Sequence, residues 1–178
     1  MRYNTDKHQH GLIEVYEKMF ERMKDKQLTI LEVGVYNGGS LLWMVDYFKN
    51  SKIVGADIAL PNISHERIVM DICDQNNSER LEQIGLKYGP FDIIIDDGSH
   101  RYAETKNTFD NLYKKFLNPG GMYVIEDFIA GYWPEYKEYK DLHKLVFEIA
   151  EKKNELDIKA FNIFLKDPKL SIAYFVKK

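Results

Sequence analysis

The sequence predicts an α/β fold: a mostly parallel sheet, finished by one antiparallel C-terminal hairpin strand, with helices on both faces. Three observations predict it. Short apolar runs alternate with amphipathic stretches of helical spacing, which is the pattern of βαβ units. Within the runs there is little polar alternation, as expected of strands covered on both faces. The last two runs are separated only by Lys166-Asp167-Pro168-Lys169, a connection too short to cross over, so those two strands must be antiparallel.

Taken in chain order, Leu12, Val15, Tyr16, Met19 and Phe20 form the apolar stripe of an opening helix. Residues 28–34 read as the first strand, followed by a glycine turn and a helix over 41–48. Residues 52–58 read as the second strand, with a weaker third over 67–72. Residues 91–96 form the fourth. Beyond it, Phe109, Leu112, Tyr113 and Phe116 fall at i, i+3, i+4 and i+7, one stripe of a helix over 101–116. Asn118-Pro119-Gly120-Gly121 reads as the stop signal of that helix, placed before a strand over 122–125. Residues 159–165 and 170–176 make the terminal hairpin. No repeat, low-complexity tract or linker divides the chain, so a single domain over 1–178 is expected. The whole is a Rossmann-like sheet of the kind associated with class I methyltransferases. Ligands of such sheets bind beyond the carboxyl ends of the strands.

Composition narrows the function. Hydrophobic residues at 44% and charged residues at 30% are ordinary for a soluble globular protein. A net charge of -3 leaves no electrostatic footprint for nucleic acid, and no basic run suggests a membrane surface. The single cysteine, Cys73, excludes an intramolecular disulfide and suits a reducing compartment. The first 20 residues lack the apolar stretch of a signal peptide, so a cytoplasmic protein is expected. Neither a nucleic-acid nor a membrane partner is expected, and a homo-oligomer is compatible with the sequence.

The candidate donor site lies at the first strand ends. Glu32-Val33-Gly34-Val35-Tyr36-Asn37-Gly38-Gly39-Ser40 places an acid before a glycine turn. A dinucleotide fold would carry G-x-G-x-x-G, whose turn cradles a pyrophosphate. The E-x-G-x-x-x-G pattern suits a cationic ligand without phosphates. Asp57, followed by Ile58, ends the second strand, where a carboxylate can accept both hydroxyls of a ribose. Together these favour an adenosine ligand such as S-adenosylmethionine, held by Glu32, Gly34, Tyr36, Gly38, Ser40, Asp57 and Ile58. Adenine recognition is expected in Asp71-Ile72-Cys73-Asp74-Gln75, from Gln75 or Asp74. Simpler readings stand beside these: Glu32 as a capping or sheet-edge acid, Asp57 as a solvated strand-end acid, and residues 74–77 as a plain turn.

The second constellation is acidic. Asp96-Asp97-Gly98-Ser99-His100 ends one strand and Glu126-Asp127 the next. If those strands are neighbours, Asp97, Glu126 and Asp127 converge, and such carboxylates need a cation. Oxygen ligands point to Mg²⁺, with Mn²⁺ or Ca²⁺ as alternatives. Asp96 is either a helix cap or part of the donor site. His100, three residues past Asp97, is placed to remove a proton near neutral pH, which makes Asp97 and His100 the candidate catalytic pair. A turn histidine can equally be a capping group. His10 could reach the donor if the N-terminal segment folds over it. Tyr132, Trp133 and Tyr136 could form an aromatic wall for an acceptor, or simply pack.

These residues carry a resemblance. The run DDGSH, then NPGGMYVIEDF and GYWPEY, is similar to the metal-dependent sugar O-methyltransferases of macrolide biosynthesis, whose relatives modify rhamnosyl and other polysaccharide sugars. The opening TDK, with His10-Gly11, ILEVG, GGSLLWMVDYF and IVGADI, resembles the same group, which also includes a protein named for cephalosporin hydroxylation. Cys73 departs from the usual glycine, and the loop Tyr36-Asn37 is short. The resemblance implies Mg²⁺ on Asp97, Glu126 and Asp127, a general base at His100, and donor contacts from Glu32 and Asp57. The expected reaction is methyl transfer to one hydroxyl of a vicinal diol on a sugar in a glycan, nucleotide sugar or glycosylated natural product. A catechol or other non-sugar acceptor and a non-catalytic S-adenosylmethionine-binding module are the alternatives.

Overall fold

The computed structural model describes residues 3–134, 141–167 and 170–178. Seven strands build one sheet: β1 (Thr29–Val33), β2 (Lys52–Asp57), β3 (Ile68–Ile72), β4 (Phe91–Asp96), β5 (Leu117–Glu126), β6 (Ile158–Asp167) and β7 (Leu170–Lys177). Their spatial order is β3-β2-β1-β4-β5-β7-β6. The first five are parallel, and β7 inserts antiparallel between β5 and β6. The expected architecture is therefore present, with the chain reversing direction across the sheet between β1 and β4.

Among the described residues, five α-helices cover the faces: α1 (Leu12–Phe20), α2 (Gly39–Tyr47), α3 (Ser78–Tyr88), α4 (Tyr102–Phe116) and α5 (Leu142–Glu151). Alternation along the strands divides the core. Leu31, Val33, Ile94 and Tyr123 face α3, α4 and α5, packing with Leu81, Phe109 and Val146. Ile30, Ile53, Ile93 and Val124 face α1 and α2, packing with Phe20, Leu41 and Met44. Alternation from Ile30 sends Glu32 to this second face, toward α2. α5 was absent from the sequence reading, although Leu142, Leu145, Val146 and Ile149 keep helical spacing and are all buried. Burying each side chain of that size contributes roughly 1.5–3 kcal/mol.

One expected boundary is corrected. Asn118 to Gly121 is not a separate loop after α4. Leu117 already pairs with Phe91, and the register then shifts so that Met122 pairs with Ile93. The stop residues form an irregular segment inside β5, with Pro119 and Gly120 exposed. Register sets the site. Val33 pairs with Ala56 and with Asp96, and Asp96 pairs with Ile125. Gly34, Asp57, Asp97 and Glu126 are thereby brought level at the carboxyl edge.

Candidate active site

The carboxyl edge opens into a cavity of about 1300 Å³ whose lining includes Gly34, Tyr36, Ser40, Asp57, Ile58 and Gln75. Its other side carries Tyr3 to Lys7 and Gln9, so the N-terminal segment does fold over the edge. Lys7 and Gln9 reach the cavity, while His10 does not line it.

The glycine turn is shaped by close approaches. Gly34 has φ +89, and a Cβ there would lie 2.0 Å from the Asp97 carbonyl oxygen. A Cβ on Gly39 would lie 2.2 Å from the Asn4 carbonyl oxygen. Only glycine lets the β4 end and the N-terminal segment pass so near. Asp57 holds the turn: its Oδ2 accepts N–H from Val35 at 2.6 Å and Tyr36 at 3.0 Å, and its Oδ1 accepts from Ala59 at 3.1 Å. Glu32 lies deeper. It is fully buried, and its Oε2 accepts from Ser40 Oγ at 2.5 Å. Burial, opposed by the Lys7 charge, pushes its carboxyl up to about 7.

Several expected donor residues are placed elsewhere. Asp71 is turned away from the cavity and pairs with Arg80 and Lys87, receiving a further hydrogen bond from Tyr88. The residue level with Asp57 on β3 is Ile72, so Asp71, one position earlier, serves α3 instead. Gln75 borders the cavity, but its amide is already engaged. Its Nε2 donates to Asp96 at 2.9 Å and Thr108 at 3.0 Å, and its Oε1 accepts from Ser99 N–H at 2.8 Å. Asp96 also accepts from Tyr123, and burial pushes its carboxyl up to about 7. Gln75 and Asp96 thus brace the Gly98-Ser99 turn rather than face the cavity with open valences. Gly38 is backed by Ile63 rather than the cavity.

At the β4 and β5 ends, carboxylates crowd. Asp97, His100 and Asp127 offer ligand atoms within 4.8 Å of one another, as do Glu32, Asp97 and Glu126. Asp97 belongs to both groups. His100 Nε2 lies 4.0 Å from Asp97 Oδ1, and burial lowers the imidazole below its ordinary range, keeping it neutral. Asp127 is pushed up to about 8, first by burial and then by Asp97. Burial and Asp97 likewise hold Glu126 well above the carboxylate range, against the opposing charge of Lys7. His100 and Asp127 have φ of 56 and 50, and Tyr36 has 47. Side chains held in this left-handed region carry strain that concentrates at functional sites.

The sequence reading missed Lys7. Its ammonium sits inside the acidic cluster, 2.6 Å from Asp97 Oδ2, 2.5 Å from Glu126 Oε1 and 3.6 Å from Glu32 Oε1. The charge that neutralises these acids is therefore supplied in part by the chain itself. Glu126 Oε1 also accepts from Tyr16 at 2.5 Å. Of the aromatic residues expected near the acceptor, Tyr132 is exposed with its ring 5.4 Å from that of His143, and neither it nor Trp133 lines the donor cavity. Tyr136 lies outside the described residues.

No family model matches the chain. Over 127 residues, 67% of the chain, it is 39% identical to the mycinamicin VI 2''-O-methyltransferase of Micromonospora griseorubida, covering 32% of that protein. Over 146 residues, 77% of the chain, it is 36% identical to the 8-demethyl-8-alpha-L-rhamnosyl tetracenomycin-C 2'-O-methyltransferase of Streptomyces olivaceus, covering 38% of it. Among solved structures, it is similar to the MycE methyltransferase from the mycinamycin biosynthetic pathway in complex with Mg, SAH and mycinamycin VI. There the TM-score is 0.77 at 30% identity, over 93% of this chain and 49% of that one. The chain spans a third to a half of the length of these proteins.

Proposed function

Starting from a chain that has the class I methyltransferase fold and is homologous to sugar O-methyltransferases acting on glycosylated natural products, we propose that it methylates a sugar hydroxyl. The donor is S-adenosylmethionine, and the acceptor is one hydroxyl of a vicinal diol in a small molecule or glycan. A net charge of -3 supports such an acceptor over nucleic acid. The observation that carries the reading is the donor-type turn and the carboxylate cluster meeting at one sheet edge, with Asp97 contributing to both the cavity and the cluster.

The residues fit a hard divalent ion. Asp97 and Asp127 already offer oxygens within 4.8 Å, with His100 beside them. Among the described residues Asp127 has no ion-pair partner, although burial and Asp97 make its negative charge costly. Asp97, Glu126 and Asp127 would hold Mg²⁺. When bound, the donor supplies a methyl already activated on a sulfonium, and the ion lowers the cost of charge on a chelated hydroxyl oxygen.

The chain's own residues do the rest. Asp57 and the turn it braces, with Ser40 and the Tyr36 backbone, position the donor ribose and amino acid moiety. Three N–H bonds into Asp57 already fix that turn, so little ordering remains for binding. His100, neutral because it is buried, accepts the acceptor's hydroxyl proton at its imidazole as the oxygen bonds to the methyl carbon and the carbon–sulfur bond breaks. A screen of nucleotide sugars and glycans with labelled S-adenosylmethionine tests the reading. Turnover with a sugar acceptor that stops in EDTA is expected. Turnover only with a catechol, or sugar turnover indifferent to EDTA, would overturn it.

A further inference from the structure

Lys7 stands on the short turn Asp6–His8, where the Thr5 hydroxyl accepts its backbone N–H. Its side chain is 6% exposed. An ammonium so buried has lost its hydration, which is tolerated only where opposite charges replace it. Here they are Asp97 and Glu126, two of the three carboxylates a divalent ion would use. A divalent ion and an ammonium on the same two acids repel each other, because little water lies between them to screen the charge.

We propose that Lys7 is a positioning residue that acts as a resident competitor cation: it clasps Glu126 and one oxygen of Asp97, and so sets how tightly the cluster takes a divalent metal. The inference rests on the metal reading above and deepens it. Three features support the competition. Asp97 divides its oxygens, Oδ2 toward Lys7 and Oδ1 toward His100. Glu126 Oε1 is held twice, by Lys7 and by Tyr16. Glu32 Oε1 is buried with no hydrogen-bond partner, Lys7 being 3.6 Å away, so one ammonium does not satisfy the cluster. Three acids, Glu32, Asp97 and Glu126, thus share Lys7, while Asp127, within reach of Asp97, pairs with no cation among the described residues, which leaves charge for a second cation on the Asp127 side. Lys7 also ties this charge balance to the N-terminal segment, which lines the donor cavity from Tyr3 onward.

The test is Mn²⁺ affinity by calorimetric titration of the whole chain, without donor or acceptor. Lys7→Met should bind Mn²⁺ about tenfold more tightly or better, while Lys7→Arg, which keeps the charge, stays within about threefold of the unmodified protein. Lys7→Gln carries the same expectation should Lys7→Met fail to fold. A merely structural lysine would weaken metal binding on removal, so the sign of the change is diagnostic. Mn²⁺ binding by the unmodified protein with no gain on removing Lys7 overturns this inference alone. Absence of binding from every variant, Lys7→Met included, removes the metal reading with it.

Discussion

The two halves of the carboxyl edge differ in how their polar groups are satisfied. At the ends of β1 and β2, Asp57 accepts three backbone N–H bonds and Ser40 donates to Glu32, so the turn is set before any ligand arrives. At the ends of β4 and β5, Asp127 is pushed up to about 8 and Glu126 well above its ordinary range, with one lysine against the cluster. The first half is organised by hydrogen bonds and the second by charge imbalance. A preformed half suits a ligand recognised by shape. An unbalanced half calls for a cation.

The largest effect that would break this contrast comes from Asp97, the member common to both carboxylate groups. Asp97→Ala should lower kcat by about a thousandfold or more and abolish Mn²⁺ binding. Donor affinity, read separately by titration with S-adenosylhomocysteine, should change little. On the other half, Asp57→Ala should do the reverse. Loss of the N–H bonds that brace the turn should weaken donor binding roughly 10- to 100-fold and leave Mn²⁺ affinity intact. If both variants lose both ligands equally, the two halves are one unit and the contrast fails.

A smaller effect concerns pH. Burial raises Glu32 to about 7, so the folded chain holds that proton more tightly than the unfolded one. The stabilisation is complete below the unfolded pKa, 4.5, and is lost as pH rises through about 7. The Tm of metal-free protein should fall over that window, by a few degrees, and fall less in Glu32→Gln. A Glu32→Gln slope as steep as the original would assign the loss to other groups. The smallest effect is expected at Asp71, whose partner Arg80 is a third exposed. Asp71→Asn should cost about 0.5 kcal/mol in urea unfolding and leave donor binding unchanged. A loss of donor affinity there would return Asp71 to the site.

How far the sequence can be read follows from the same physics. The parallel strands were legible because runs such as Phe91–Asp96 are covered on both faces and carry their burial in composition alone. The reversed hairpin was legible because its connection is too short to cross over. That Asp97 meets acids of the neighbouring strand end was legible because adjacent parallel strands end level, although the structure groups it with Asp127 and His100 on one side and with Glu126 and Glu32 on the other. Asp71 was misplaced because its fate turns on a one-residue register, which pairs Ile72 and not Asp71 with Asp57. Lys7 was invisible for another reason. A lysine among Asn4, Thr5, Asp6, His8 and Gln9 reads as solvent-facing, and only the tertiary placement of that segment over the sheet edge buries it. Gln75 reads from the sequence as an adenine contact or part of a plain turn, and its engagement with Asp96, Thr108 and Ser99 depends on β4, α4 and the turn between them, distant in sequence.

The proposed divalent ion sits beside the donor, between the β4 and β5 ends. Crystals grown with S-adenosylhomocysteine and Mn²⁺, measured at the manganese absorption edge, address it directly. One anomalous peak is expected there, about 2.0–2.6 Å from carboxylate oxygens of Asp97 and Asp127. A fully occupied donor site with no peak there, and Lys7 still clasping Asp97 and Glu126, would contradict it.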